Sequence, residues 1–321
     1  MPTHPGLLSH RHRKLIILSL LISAAAYLLV AGYVGLDNVS IAFSQIGLAG
    51  WLLLFSCSFI NYLLRFVRWQ MYLSALGHRL HSGLHFMYYL AGFALTTTPA
   101  KAGETIRSVL LRPHGVSYPQ SLASFFSERL LDVIVVTSLA SFTVLAFADY
   151  KPFVFFSILL FFSILLVVRS QWLIKVFQSI GKKLHGGKIK QVLEHSQTLL
   201  TSAHQFLEWR KLIIGYLIGL IAWSIQGLAF YFIVTSLNFE ISLLAAMGIY
   251  SISLLAGAAS FIPGGIGSTE LAMGLLLAGL GADNTIVISA PLISRLSTLW
   301  FAVLLGLVST SLLSTSLFNR P

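Results

Sequence analysis

Ten ionisable side chains lie in or beside long apolar runs, where charge is costly and marks ion pairs or ligand sites. Arg65, Arg68, Lys101, Arg107, Arg129 and Arg295 are positive; Glu104, Glu128, Asp132 and Glu270 are negative. Cations therefore exceed anions, and the surplus suits an anionic head group such as a phosphate or carboxylate. The carboxylates would tune those cations or titrate as a cavity changes sides. Asp132 stands three residues from Arg129 and four from Glu128, so all three can share one helix surface and can equally form a buried ion pair that holds the helices together.

No comparable set exists for enzyme chemistry. The sequence contains no HExxH pair, no Gly-x-Ser-x-Gly elbow and no Walker loop. His81 and His85 have helical spacing but lack a third ligand, and Cys57, the only cysteine, lies inside an apolar run as a small core residue. Asp37 follows the first apolar run and would suit a glycosyltransferase using a lipid-phosphate sugar, yet no second acid accompanies it. The expectation is a protein that is not an enzyme and needs no metal or cofactor.

The elements that must position these charges are membrane spans. The chain of 321 residues is 56% hydrophobic and 10% charged, with a mean hydropathy of +0.85. That is more apolar surface than one soluble core of this size can bury. Runs at 15–34, 48–76, 118–147, 151–168, 212–236 and 284–315 reach or approach the roughly 20 residues that cross a bilayer as helix. The first continues to Val34 without a polar break, so it reads as an uncleaved anchor instead of a signal peptide. Two further runs, 83–112 and 241–280, are broken by Pro and Gly and read as re-entrant pairs of half-helices. The fold class expected is an all-α polytopic membrane protein with about six full transmembrane helices and two re-entrant broken-helix hairpins.

A net charge of +11 excludes nothing by itself, but the basic residues sit in short loops beside apolar spans instead of forming a stripe. That pattern is positive-inside patterning and not a nucleic-acid surface. Arg11, Arg13 and Lys14 place the N-terminus in the cytoplasm, with the loop at Asp37 and Asn38 outside. Arg79, Arg107 and Arg112 then lie inside, Glu240 and Asp283 outside, and the C-terminus at Arg320 inside. The location expected is the cell inner membrane. The basic segment 169–211 alternates lysines with Trp172, Ile174, Phe177 and Ile180. It suits either a helix lying on an anionic leaflet or a solvated cytoplasmic loop.

Two halves of the chain resemble one another. Pro99-x-x-x-Gly103 is matched by Pro263-x-x-x-Gly267, and Ser127-x-Arg129-Leu130 by Ser294-Arg295-Leu296. Repeat one covers 48–147 and repeat two 212–315, and the charge rule gives them opposite orientations, the pattern of inverted-repeat transporters. Arg129 and Arg295 each lie about three turns into a span, and ~1.5 Å per residue brings both near the midplane. Pro263, Gly264, Gly265 and Gly267 break the second hairpin as Pro99 and Gly103 break the first. Irregular backbone at that depth survives only when buried in protein or lining a wet cavity. The second half-helix of each hairpin is expected to aim its N-terminal amides at the membrane centre, with Ser268 as a cap and with Glu104 and Glu270 in the first turns.

The motifs Asn61-x-x-x-Arg65-x-x-Arg68-Trp69, Pro99-x-Lys101-x-Gly103-Glu104-x-x-Arg107, Ser124-x-x-x-Glu128-Arg129-x-x-Asp132 and Pro263-Gly264-Gly265-Ile266-Gly267-x-x-Glu270 resemble the flippase-like transmembrane domain of the lysylphosphatidylglycerol synthase family. The resemblance covers residues 12 to 315. In two-domain members the membrane region is thought to move an aminoacylated phospholipid that a cytoplasmic domain makes. Here the sequence stops at Pro321, so a stand-alone form is expected and lysyl transfer is not carried over. Relatives associated with polyisoprenoid-linked sugars, hopanoids and phospholipids imply a lipid transporter without naming its cargo. With no ATP-binding motif, transport would be downhill or ion-coupled. The partners expected are membrane lipids with an anionic head group. The competing expectation is an accessory subunit whose basic loop recruits a lipid synthase or glycosyltransferase.

Overall fold

The computed structural model describes residues 36–141 and 188–318, with isolated positions between 152 and 179. The expected span at 15–34 and both chain termini lie outside the described residues, as do the expected span at 151–168 and the surface-lying helix at 172–180 apart from those isolated positions.

Helix α1 runs Leu36–Ala75 and turns sharply at Gly47, whose φ of 62° and ψ of 166° interrupt the helix. Asp37 and Asn38 thus belong to a helical turn where a loop was expected. After α1 come α2 (Ser82–Phe93), a 3-10 segment (Pro99–Ile106), the five-residue α3 (Arg107–Leu111) and α4 (Tyr118–Ala140). The second half of the described chain contains α5 (Lys188–Phe206), α6 (Trp209–Ser236), α7 (Leu243–Ala259), a 3-10 turn (Pro263–Gly265), α8 (Ser268–Gly279), α9 (Asn284–Arg295) and α10 (Phe301–Phe318). A π turn at Leu296–Trp300 joins α9 to α10. No strand occurs among the described residues, and the fold is all-α.

Three helices, Ser40–Ala75, Trp209–Ser236 and Asn284–Leu313, are long and apolar enough to cross a membrane. Their outer faces present Leu48, Leu52 and Ile60 on α1, Ile213, Leu217 and Ile221 on α6, and Leu304 and Leu312 on α10. Exposed apolar surface on successive helices would drive a soluble protein to aggregate, and in lipid it is the matched surface. The inside also holds polar and charged side chains. Asn61, Arg65, Arg68, Arg107, Glu128 and Asp132 are all buried.

The packing has an internal exchange relation. Helix α1 packs against α6, α2 packs against α10, and α7 packs against α4. Exchanging the halves converts the α2–α10 contact into the α7–α4 contact and returns α1–α6 to itself. The two Pro-containing 3-10 segments also touch each other. Close approach at α2–α10 depends on Gly306, where a Cβ would stand 2.7 Å from the Phe93 carbonyl carbon.

Two expectations are corrected. In the first broken run, the part after Pro99 is a 3-10 segment followed by a five-residue helix, not a half-helix with a free N-terminus. Lys101 takes a positive φ of 55°, which α-helix does not accommodate. The solvated-loop alternative for the basic segment 169–211 also fails over Lys188–Phe206, which is helical. That helix, α5, packs on α4, and Phe206 stacks on Tyr72 with ring centroids 4.9 Å apart.

Candidate functional site

Four arginines and three carboxylates form one ion network where α1, α2, α3, α4 and the first 3-10 segment converge. Arg65 on α1 reaches Glu128 at 3.1 Å and Asp132 at 3.3 Å on α4. One turn along α1, Arg68 donates to Asp132 and lies 3.8 Å from Glu128. Arg107 is 3.2 Å from Glu104 and 3.5 Å from Glu128, and Arg129 is 2.9 Å from Glu128 and 3.3 Å from Asp132. In an apolar interior each charge would be prohibitive alone, and mutual pairing is what allows it to persist.

Neutral groups fix the orientation of this network. The Tyr89 hydroxyl donates to Glu128 at 2.6 Å, the Trp223 indole N–H to Asp132 at 3.1 Å, and the Thr96 hydroxyl to Glu104 at 2.8 Å. The Arg107 guanidinium stands 4.0 Å from the centre of the Tyr89 ring, and its Nε donates to the Tyr89 carbonyl at 3.0 Å. Glycine makes the room. A Cβ at Gly92 would collide with the Arg107 side chain, and one at Gly219 would sit 2.9 Å from an Arg68 terminal nitrogen.

The second half has a smaller ion pair built on the broken backbone. Gly264, Gly265 and Gly267 adopt φ values of 64°, 64° and 86°, in the left-handed region open to glycine. The Gly267 N–H donates to Glu270 Oε2 at 2.7 Å, so Glu270 caps α8. Ser268, expected as that cap, instead donates to the Gly265 carbonyl at 3.1 Å. The other Glu270 oxygen accepts from Arg295 Nε at 2.8 Å, and Arg295 also donates to the Gly264 carbonyl. Arg295 ends α9 immediately before the π turn, and within that turn the Thr298 carbonyl accepts from the Tyr62 hydroxyl at 2.6 Å. Single π turns often mark functional positions in helices.

Between the two halves lies a cavity of about 260 Å³. Lys101, Arg129 and Arg295 line it together with Asp132, Trp223 and Thr269. Its remaining wall includes Val136, Leu254, Leu255, Phe261 and Leu299, with Phe261 74% exposed, so cationic and apolar side chains line the same space. A second cavity of about 60 Å³, lined by Asn61, Arg65, Glu104 and Gln226 among others, shares Lys101 and Arg295 with the first. Lys101 makes no ion pair with any described residue, and it lines both cavities.

The structure thus brings Lys101, Arg129, Asp132, Gly264, Gly265 and Arg295 to the larger cavity and adds Arg65 and Glu104 at the smaller one. Arg107, Glu128, Gly103, Pro263, Gly267 and Glu270 line neither. They belong to the ion network, the helix cap or the bends. Sequence reasoning did not pick out Tyr89, Trp223 or Thr269, because single aromatic and hydroxyl residues in apolar helices look like ordinary packing. Arg68 was visible as a charge but not as a site residue. Among the described residues, no group of three or more His, Cys, Asp or Glu side chains could hold a metal ion.

Apolar helices surrounding an ionic interior define a multi-pass membrane protein. The family model described as the lysylphosphatidylglycerol synthase TM region matches residues 16–306. The chain belongs to that family. Among its relatives, a UPF0104 membrane protein of Pyrococcus horikoshii is 26% identical over 66% of this chain and 70% of its own length. A UPF0104 membrane protein of Methanocaldococcus jannaschii is 21% identical over 90% of this chain and 92% of its own. A phosphatidylglycerol lysyltransferase of Staphylococcus epidermidis is 29% identical over 94 residues, which are 29% of this chain and 11% of that protein.

Proposed function

We propose that this protein is a lipid flippase or scramblase that moves an anionic amphiphile across the cell inner membrane. The observation that carries this reading is one cavity lined both by Lys101, Arg129 and Arg295 and by an extensive apolar wall. An amphiphile needs both: cations to replace the hydration of its head group, and apolar surface along which its chains remain in hydrocarbon. Contact between the two Pro-containing segments at the cavity supports a rocking motion of one half against the other, since both bends meet where the halves meet. In this reading the broken helices are re-entrant, and the N- and C-termini are cytoplasmic. The protein acts as a conduit without covalent chemistry and uses a lipid gradient or an ion gradient.

The test is transport by the purified full chain in vesicles. Head-group-labelled phosphatidylglycerol is placed in both leaflets, and an impermeant quencher reports how quickly the inner pool becomes accessible. Acceleration over protein-free vesicles supports transport. If neither phospholipids nor isoprenoid phosphates move faster with the protein present, the reading falls and the accessory-subunit expectation takes its place.

A further inference from the structure

We infer that the amphiphile's head group ends in a terminal phosphate, a phosphomonoester or diphosphate, and that Lys101 is the residue that selects it over singly charged phosphodiesters. This rests on the transport reading for the site, but it concerns what the site binds. Charge balance is the first support. Arg65, Arg68, Arg107 and Arg129 are opposed by Glu104, Glu128 and Asp132, so the network retains one positive charge. Lys101 adds a second, because it makes no ion pair with any described residue. Arg295 and Glu270 balance each other at 2.8 Å.

The chain has ten carboxylates, so counterions are few. Of those outside the site, Glu208 pairs with Lys211 and Asp283 caps α9. Asp37, Asp149, Glu194 and Glu240 fall at or beyond the ends of apolar runs. The ion network and Lys101 together therefore hold two positive charges in excess of their carboxylates, and Lys101 and Arg129 bring that excess to a cavity with a largely apolar wall. A buried charge without a counterion is strongly unfavourable. A terminal phosphate carries about −1.5 to −2 at neutral pH and three acceptor oxygens. A phosphodiester carries one negative charge, and a zwitterion none.

Position supports selection by Lys101. It lies in the first 3-10 segment at φ 55° and lines both cavities, sharing both with Arg295 and the larger with Arg129. Arg129 and Arg295 are already engaged by carboxylates, whereas the ammonium of Lys101 keeps its three donors for a ligand.

The experiment is equilibrium binding to the detergent-solubilised full chain by native mass spectrometry, independent of transport. The probes are dioctanoyl phosphatidic acid, farnesyl phosphate, dioctanoyl phosphatidylglycerol and inorganic phosphate. At least one of the two terminal-phosphate lipids should bind about 10-fold or more tightly than phosphatidylglycerol, and which of them does so distinguishes a glycerolipid source from an isoprenoid one. Inorganic phosphate should bind more weakly than either. Lys101→Gln should reduce the preference to about 3-fold or less, and Lys101→Arg, which keeps the charge, should retain it. Equal binding of phosphatidylglycerol and the terminal-phosphate lipids would overturn the inference, as would an unchanged preference in Lys101→Gln. Failure of transport with this preference intact would count against the flippase reading alone.

Discussion

Glu128 accepts the Tyr89 hydroxyl and lies within ion-pair distance of four arginines, at the centre of the buried network. Glu128→Gln should therefore destabilise the protein by roughly 3–5 kcal/mol, the loss typical when one partner leaves a buried pair. Glu270 is partly exposed and holds one arginine and one helix N-terminus, so Glu270→Gln should cost less, about 1–3 kcal/mol. Thermal unfolding in detergent checks this ranking, and an equal or reversed order would show that the first network is not the structural keystone. At this scale the sequence revealed which residue types were exceptional, since charges inside apolar runs are rare and costly. It did not reveal their partners. Arg65 and Glu128 meet only through the packing of α1 on α4, and no local spacing encodes a contact between residues so far apart in the chain. Trp223 and Tyr89 stayed hidden for the same reason: their polar edges matter only because a carboxylate happens to face them.

Helix contacts are governed by small residues where backbones must approach closely. Gly306 on α10 faces the end of α2, where an added Cβ would meet Phe93 and Ala94 backbone atoms. Gly306→Val should push the two helices apart and lower stability by about 1–3 kcal/mol. A melting temperature within error of wild type would argue against this close packing. The apolar runs at 48–76, 212–236 and 284–315 were legible because length and hydropathy suffice for a span, and each matches a helical region here. The break at Pro263 was legible too. The conformation after Pro99 was not, since Ala100-Lys101-Ala102-Gly103 fits either a helix or a tight 3-10 segment and only the positive φ of Lys101 settles the choice. Nor was the π turn after Arg295 foreseeable, because a single inserted residue leaves no periodicity to read.

At the scale of the whole molecule, the described residues form two halves whose contacts exchange, with a cavity lined by Lys101, Arg129 and Arg295 at their junction. If the halves are oppositely oriented in the bilayer, the loop after α1 and the loop after α6 must open on different sides. Single cysteines introduced at Arg79 and at Asn238 in a Cys57→Ala background should react with an impermeant maleimide from opposite faces of oriented vesicles. Labelling of both from one face would refute the inverted arrangement. Passage of lipid by way of this cavity is tested most directly by the rate at which labelled head groups become accessible in vesicles. Wild type is compared with the Arg129→Gln, Arg295→Gln double variant, each checked to be monodisperse. Acceleration by the wild type and a near protein-free rate for the variant are expected; a folded variant as fast as the wild type would contradict a route through the cavity.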